Sequence, residues 1–156
     1  MSKSLKRVTK ALADAGIDAQ IVETTDQTRT AEQAAAQAGC VVDQIAKSII
    51  FKGEDSNLAV LFITAGGNQV DAAKASTVAG EVLGKADADL IRTQTGFAIG
   101  GVSPVGHLNS IRTFIDPRLT EFDVIWAAAG TPRHIFSLAP SDLITLTNGQ
   151  LADFTG

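Results

Sequence analysis

Residues 46–52 read AKSIIFK and residues 58–64 read LAVLFIT, separated by the polar break GEDSN at 53–57. Both runs are rich in the β-branched and aromatic side chains that favour strands. A short polar segment between two such runs predicts a β-hairpin. Neither run alternates cleanly between apolar and polar, which is the pattern of strands covered on both faces, so both are expected at the centre of a sheet. Lys47 breaks the pattern. A lysine at the head of an apolar strand either carries its ammonium to an edge or aims it into a cleft, where it can grip a phosphate or polarise a carbonyl.

Working outward, the amino-terminal side opens with Leu5, Val8, Leu12 and Ala15 at helical spacing and Gly16 as a stop. Lys3, Lys6, Arg7 and Lys10 are expected on the opposite face, as a solvated surface or as a patch that meets RNA. A short strand is expected over 17–22. Thr30 and Gln33 form the T-x-x-Q capping signature of an alanine-rich helix ending at Gly39. On the other side of the hairpin, Gly66 and Gly67 turn the chain. Asp71 caps a helix to about Ala79, with an extension toward Leu83. Asp87 or Asp89 starts another helix, closed near Gly96. After a loop at 100–107, strands are expected at 111–115, 123–128 and 134–138. A brief helix at 141–143 follows Pro140, and Asn148-Gly149 makes a tight turn. Hairpins are mixed with helices and not strictly alternated. The expected class is therefore α+β, a central mixed β-sheet or small barrel flanked by helices, with residues 1–156 as a single domain.

Composition narrows the function. Hydrophobic residues make up 45% of the 156 and charged residues 19%, which excludes disorder. No apolar run approaches the roughly 18 residues of a membrane span, and no secretory leader is visible, so a cytoplasmic location is expected. The net charge of −4 argues against tracking along a DNA duplex, while leaving room for local contact with one RNA end. The single Cys40 allows no internal disulfide and reads as a small buried residue. The sequence has no phosphate-binding loop, dinucleotide fingerprint or G-x-S-x-G elbow. The two histidines and one cysteine lack zinc-ligand spacing, so neither cofactor nor metal is expected.

Two further stretches carry potential chemistry. GFAIGGVSPVGH at 96–107 pairs two glycines with a following proline, so its backbone can approach a ligand closely and offer amide N–H groups as an oxyanion hole. AAAGTP at 127–132 is a strand running into a small-residue corner suited to walling a small pocket.

In order and spacing, TAEQAA (30–35), IAKSIIF (45–51), VDAAK (70–74), TGFAIGGVSPVGH (95–107), AAAGT (127–131) and LAPSDL (138–143) resemble the YbaK/ProX family of prolyl-tRNA synthetase-associated editing domains. The resemblance covers nearly the whole chain. The strand lysine, the G-x-x-x-P loop and the terminal APSDL together are its most specific part. It implies an aminoacyl-tRNA deacylase that cleaves the ester joining a wrong amino acid to the terminal adenosine of tRNA. Such an enzyme is needed because small apolar differences are worth only about 1–3 kcal/mol at a synthetase pocket.

The resemblance also assigns residues. Lys47 anchors the tRNA terminus or the substrate carbonyl, and the backbone around Gly100 and Gly101 holds the carbonyl oxygen. Ser48, Val102, Ser103, Pro104, His107, Gly130 and Thr131 are expected to bind substrate. Water is the nucleophile, with the substrate's own hydroxyl as a possible helper. His107 and His134 are read first as ordinary hydrogen-bonding residues, with a direct catalytic role as the lesser alternative. The partner is the acceptor end of a mischarged tRNA, with tRNA-Pro and prolyl-tRNA synthetase the ones the family suggests. Cysteine-specific members carry a serine and an aspartate near the corner where Ala128 and Ile135 stand here, which favours a small residue such as alanine over cysteine. The alternatives are a non-catalytic tRNA- or synthetase-binding module of the same fold, and a general esterase.

Overall fold

The most apolar run of the sequence becomes the innermost strand. In the computed structural model, which describes residues 2–156, Ala59–Ala65 is buried at every position. Its strand, β3, lies third in a five-stranded sheet of order β4-β2-β3-β5-β8. The other members are β2 (Ala46–Gly53), β4 (Leu83–Lys85), β5 (Arg112–Ile115) and β8 (Gln150–Leu151). β2 and β3 form the expected antiparallel hairpin, from Ala46 opposite Ala65 to Lys52 opposite Ala59. β5 joins β3 in parallel, so the sheet is mixed.

A second sheet of order β1-β7-β6 contains β1 (Ile21–Glu23), β6 (Ile125–Thr131) and β7 (His134–Leu138). A parallel backbone bridge, Ile45 with Trp126, links the two sheets. The class is α+β, with a mixed sheet flanked by helices.

Alternation along β3 divides the interior in two. Leu61 and Ile63 face the second sheet and meet Ile125, Ala127, Phe136 and Leu138. Helix α1 (Lys3–Asp14) closes that side with Leu5, Val8 and Leu12. Each of these side chains contributes about 1.5–3 kcal/mol by leaving water. Val60 and Phe62 face the opposite way, toward Ala75 and Ala79 of helix α3 (Ala72–Ala79) and toward Phe154. The Phe62 ring centroid lies 5.7, 5.4 and 4.9 Å from those of Phe51, Phe114 and Phe154.

The capping signals act as their chemistry requires. Thr30 and Gln33 close a reciprocal capping box on helix α2 (Ala31–Ala38). Asp71 accepts from the amides of Ala73 and Lys74, and Asp87 from that of Leu90 at the start of helix α4 (Ala88–Thr95).

Several expectations need correction. The strand placed at 17–22 forms only at Ile21–Glu23, where β7 supplies a partner. Helix α3 stops at Ala79 because Gly80 turns left-handed, and Leu83 leaves as strand β4. Helix α5 runs over Pro140–Thr147, longer than the brief helix expected, and β8 follows the turn at Asn148. Cys40 is half-buried, not buried, although desolvation still raises its thiol pKa. β2 is only half-covered from Lys47 to Lys52, because β4 pairs with its last three residues alone.

Candidate active site

That uncovered edge of β2 opens onto a cleft of about 530 Å³. Its walls are the first half of β2, the segment 28–34 entering α2, Gly66 and Gly67 after β3, Ile99, Gly100 and Val102 of the glycine loop, and Trp126, Ala127 and Ala128 of β6. Ile135, opposite Ala128 in the β6–β7 ladder, completes the apolar end.

The direction of the β2 backbone groups follows from its two ends. Gly53 N–H donates to Leu58 on the β3 side, and Glu54 N–H donates to Val82 on the β4 side. Alternation in a regular ladder then turns the amides and carbonyls of Ser48 and Ile50 toward the edge that no strand covers. Both residues line the cleft. The Ser48 hydroxyl beside them is buried without a hydrogen-bond partner among the described residues.

Lys47 lines the same cleft and is half-buried. Its Nζ lies 3.5 Å from the carbonyl of Gly66, at the limit of a hydrogen bond. Among the described residues it joins no ion pair. The cation is therefore held at a cleft wall with its charge uncommitted, an arrangement suited to an anionic or carbonyl oxygen.

In the glycine loop, Gly100 has φ +95°, and a Cβ built there meets nothing within 4 Å, so its backbone faces open space. The amide of Gly101 donates within the turn to Ala98 O at 3.2 Å. Those of Gly100 and Val102 have no partner among the described residues. Two unpaired amides at a cleft wall can receive a developing oxyanion, whereas the committed Gly101 amide cannot.

The structure thus brings Lys47, Ser48, Gly100 and Val102 into one cleft and places the remaining expected residues behind it. Gly101 packs on the β6–β7 corner, where its Cβ would stand 2.9 Å from the Cα of Thr131. Gly130, at φ +95°, sits in a β-bulge against Ser4 and Phe97. The Thr131 hydroxyl lies 2.6 Å from His134 Nδ1. Ser103 is fully buried and its hydroxyl accepts from Val105 N–H. Pro104 and His107 line a separate depression of about 280 Å³.

His107 Nε2 lies 2.7 Å from the Ser103 carbonyl. Burial holds its pKa below the usual imidazole value. The hydrogen bond to Ser103 opposes that shift, and the charge of Arg7 adds to it. The ring is therefore neutral near pH 7, and its Nε2–H donates. Trp126, Ile99 and the 28–34 segment were not foreseen as cleft residues. Only Ile99, an apolar side chain in a glycine loop and 63% exposed, carried a local signal.

The cleft therefore pairs a free lysine with unpaired loop amides, groups suited to the carbonyl oxygen of an ester. Residues 25–146 match the family model described as "Aminoacyl-tRNA editing domain". The chain belongs to this family and is an aminoacyl-tRNA deacylase. A solved structure described as a candidate trans-editing enzyme for prolyl tRNA synthetase is 41% identical, with a TM-score of 0.92, covering 100% of this chain and 99% of its own. The uncharacterized protein YwhH of Bacillus subtilis is 29% identical over 90% of this chain and 88% of its own length. A candidate Cys-tRNA(Pro)/Cys-tRNA(Cys) deacylase, EbsC of Enterococcus faecalis, is 28% identical over 81% of this chain and 77% of its own.

Proposed function

We propose that the protein acts in trans on tRNA-Pro mischarged with a small apolar amino acid, alanine before cysteine. The observation that carries this reading is the lining of the cleft. Ala127, Ala128, Ile135, Ile45, Ile99 and Val102 all line it, and none of these six offers a side-chain donor or acceptor for a thiol. Ala128 and Ile135 face each other across the ladder where a serine and an aspartate mark the cysteine-specific relatives. The similarity to a candidate trans-editing enzyme for prolyl tRNA synthetase supports the tRNA.

In this reading Lys47 grips the substrate at the ester or the adjoining phosphate, and the amides of Gly100 and Val102 receive the carbonyl oxygen. Water adds to the carbonyl carbon. The ester C–O bond breaks, and the departing ribose oxygen takes up a proton. The ester is already activated, so positioning and oxyanion stabilisation supply the rate without a side-chain base.

The test is deacylation of tRNA-Pro charged with alanine, serine or cysteine, beside correctly charged Pro-tRNA. Alanine is expected to be released fastest and proline spared. Preferential release of cysteine overturns the specificity.

A further inference from the structure

Arg7 does not lie on the solvated face of α1, where helical spacing placed it. Its guanidinium turns inward and bridges both ends of the glycine loop. Nη2 donates to the carbonyl of Gly96, and Nε donates to the carbonyl of Gly106 at 3.3 Å. The guanidinium carbon sits 4.9 Å from the centroid of the Phe97 ring. The imidazole of His107 meets the same ring edge-on at 5.9 Å and ties Ser103 from inside. Gly106 also approaches α1 so closely that its Cβ would lie 3.2 Å from the Arg7 carbonyl.

We propose that Arg7 is a positioning residue for the editing reaction: by tying the Gly96 and Gly106 carbonyls it fixes the loop that presents the Gly100 amide to the cleft. The inference rests on the reading that this amide serves the reacting carbonyl. Arg7 does not line the cleft, and α1 precedes the residues matched by the family model.

The physical need is specific. A loop that keeps amides unpaired for substrate cannot be held by those amides, and ordering its residues costs backbone entropy that something else must offset. The restraint has to come from the loop's ends. A guanidinium meets that need because its planar fork reaches two carbonyls in different directions while stacking on an aromatic face. A lysine ammonium has no such plane. Leu5, Val8 and Leu12 anchor the helix that carries it, so the clamp is referred to the core and not to another mobile segment.

The experiment compares Arg7→Ala and Arg7→Lys with the wild type. It uses single-turnover release of alanine from Ala-tRNA-Pro at saturating enzyme, and binding of tRNA-Pro carrying amide-linked alanine. Misplacing a reacting group by about 1 Å costs on the order of 10²-fold. Both variants should therefore lose about ten- to a hundredfold in rate while binding changes less than about twofold. Added guanidinium ion should restore part of the rate of Arg7→Ala but none of that of Lys47→Ala.

Hydrogen exchange of the amides at 97–105 should accelerate in Arg7→Ala. It is measured without substrate, so it separates failure of the clamp from failure of the functional reading. If the wild type releases no amino acid, the reading fails while exchange still decides the clamp. If Arg7→Ala is too unstable to assay, Arg7→Lys, which keeps the charge and the stem, carries the test. Wild-type rates in both variants, unchanged exchange, or a loss confined to binding would each overturn the proposal.

Discussion

Adding one methyl group at Gly100 or at Gly101 separates two physical effects in adjacent residues. At Gly101 the new Cβ meets the Cα and carbonyl carbon of Thr131 at 2.9 Å and its nitrogen at 3.1 Å. Ordinary contact begins near 3.4 Å, so the loop must retreat by 3.4 − 2.9, about half an ångström. Backbone atoms cannot swing aside as a side chain can, and overpacking of this kind costs about 1–3 kcal/mol. The retreat carries Gly100 and Val102 with it. A loss of about tenfold in single-turnover rate is expected for Gly101→Ala, scaled from on the order of 10²-fold for a full ångström. At Gly100 the methyl meets no protein atom, and the cost arises from φ +95°, about 1–3 kcal/mol, and from projection into the cleft. Gly100→Ala should therefore discriminate by substrate size, slowing a larger attached amino acid more than a smaller one. Gly101→Ala should slow both alike. The assay is single-turnover deacylation of two substrates differing by one methylene, with thermal midpoints recorded alongside. Wild-type rates in both variants would show the loop to be only a turn, with the chemistry elsewhere.

Lys47→Ala should abolish deacylation while shifting stability by no more than about 0.5 kcal/mol, because the side chain joins no ion pair among the described residues. Near-normal turnover by a folded mutant removes Lys47 from the mechanism. Ala128→Ser places a hydroxyl at the half-buried wall of the cleft. It should shift the ratio of cysteine to alanine release several-fold, the worth of a hydrogen bond of about 1 kcal/mol. An unchanged ratio moves the specificity pocket away from β6. For His107 the folded pKa lies below 6.5, so the unfolded chain takes its proton first as pH falls. Stability should be full above about pH 6.5 and decline below it until the folded pKa is passed. Thermal midpoints between pH 7 and pH 5 should therefore fall more steeply in the wild type than in His107→Gln, and parallel curves refute the assignment.

What the sequence made legible follows the range of each interaction. The hairpin of β2 and β3, the Thr30–Gln33 capping box, the aspartate cap at Asp71 and the glycine stops depend on neighbours a few residues apart, and all of these formed where their chemistry predicts. β1 was placed too early and β4 was not expected as a strand, because each exists only through pairing with a strand far along the chain: Ile21 with Phe136, and Phe51 with Lys85. Lys47 and Gly100 could be singled out because an ionic group in an apolar run and a double glycine are locally anomalous. Trp126 reads as an ordinary strand residue, unlike the small residues that follow it. It became a cleft residue only when β6 came to rest beside the open edge of β2, a relation between segments about 80 residues apart that no local pattern records. Arg7 was misread for the same reason. Its helical face was assigned by periodicity, while its partners, Gly96 and Gly106, lie 89 and 99 residues away.

The division of the glycine loop into bound and free groups explains why its residues separate so sharply in space. Among its buried members, Phe97 N–H donates to the Thr95 hydroxyl, Val105 N–H donates to the Ser103 hydroxyl, and the Ser103 carbonyl accepts from His107. Gly101 spends its amide on Ala98 and lies against the Thr131 backbone. At the tip, the amides of Ile99, Gly100 and Val102 stay uncommitted among the described residues, and these three residues line the same cleft as Lys47. A donor left unpaired costs less where water can reach it than in the core, and it becomes most valuable once substrate displaces that water. A loop with every amide satisfied would be more stable and could not bind an oxyanion. A loop with every amide free would have no fixed position to offer. Rate enhancement without a side-chain base requires the intermediate arrangement, in which the stem of the loop is over-determined so that its tip can remain unsatisfied.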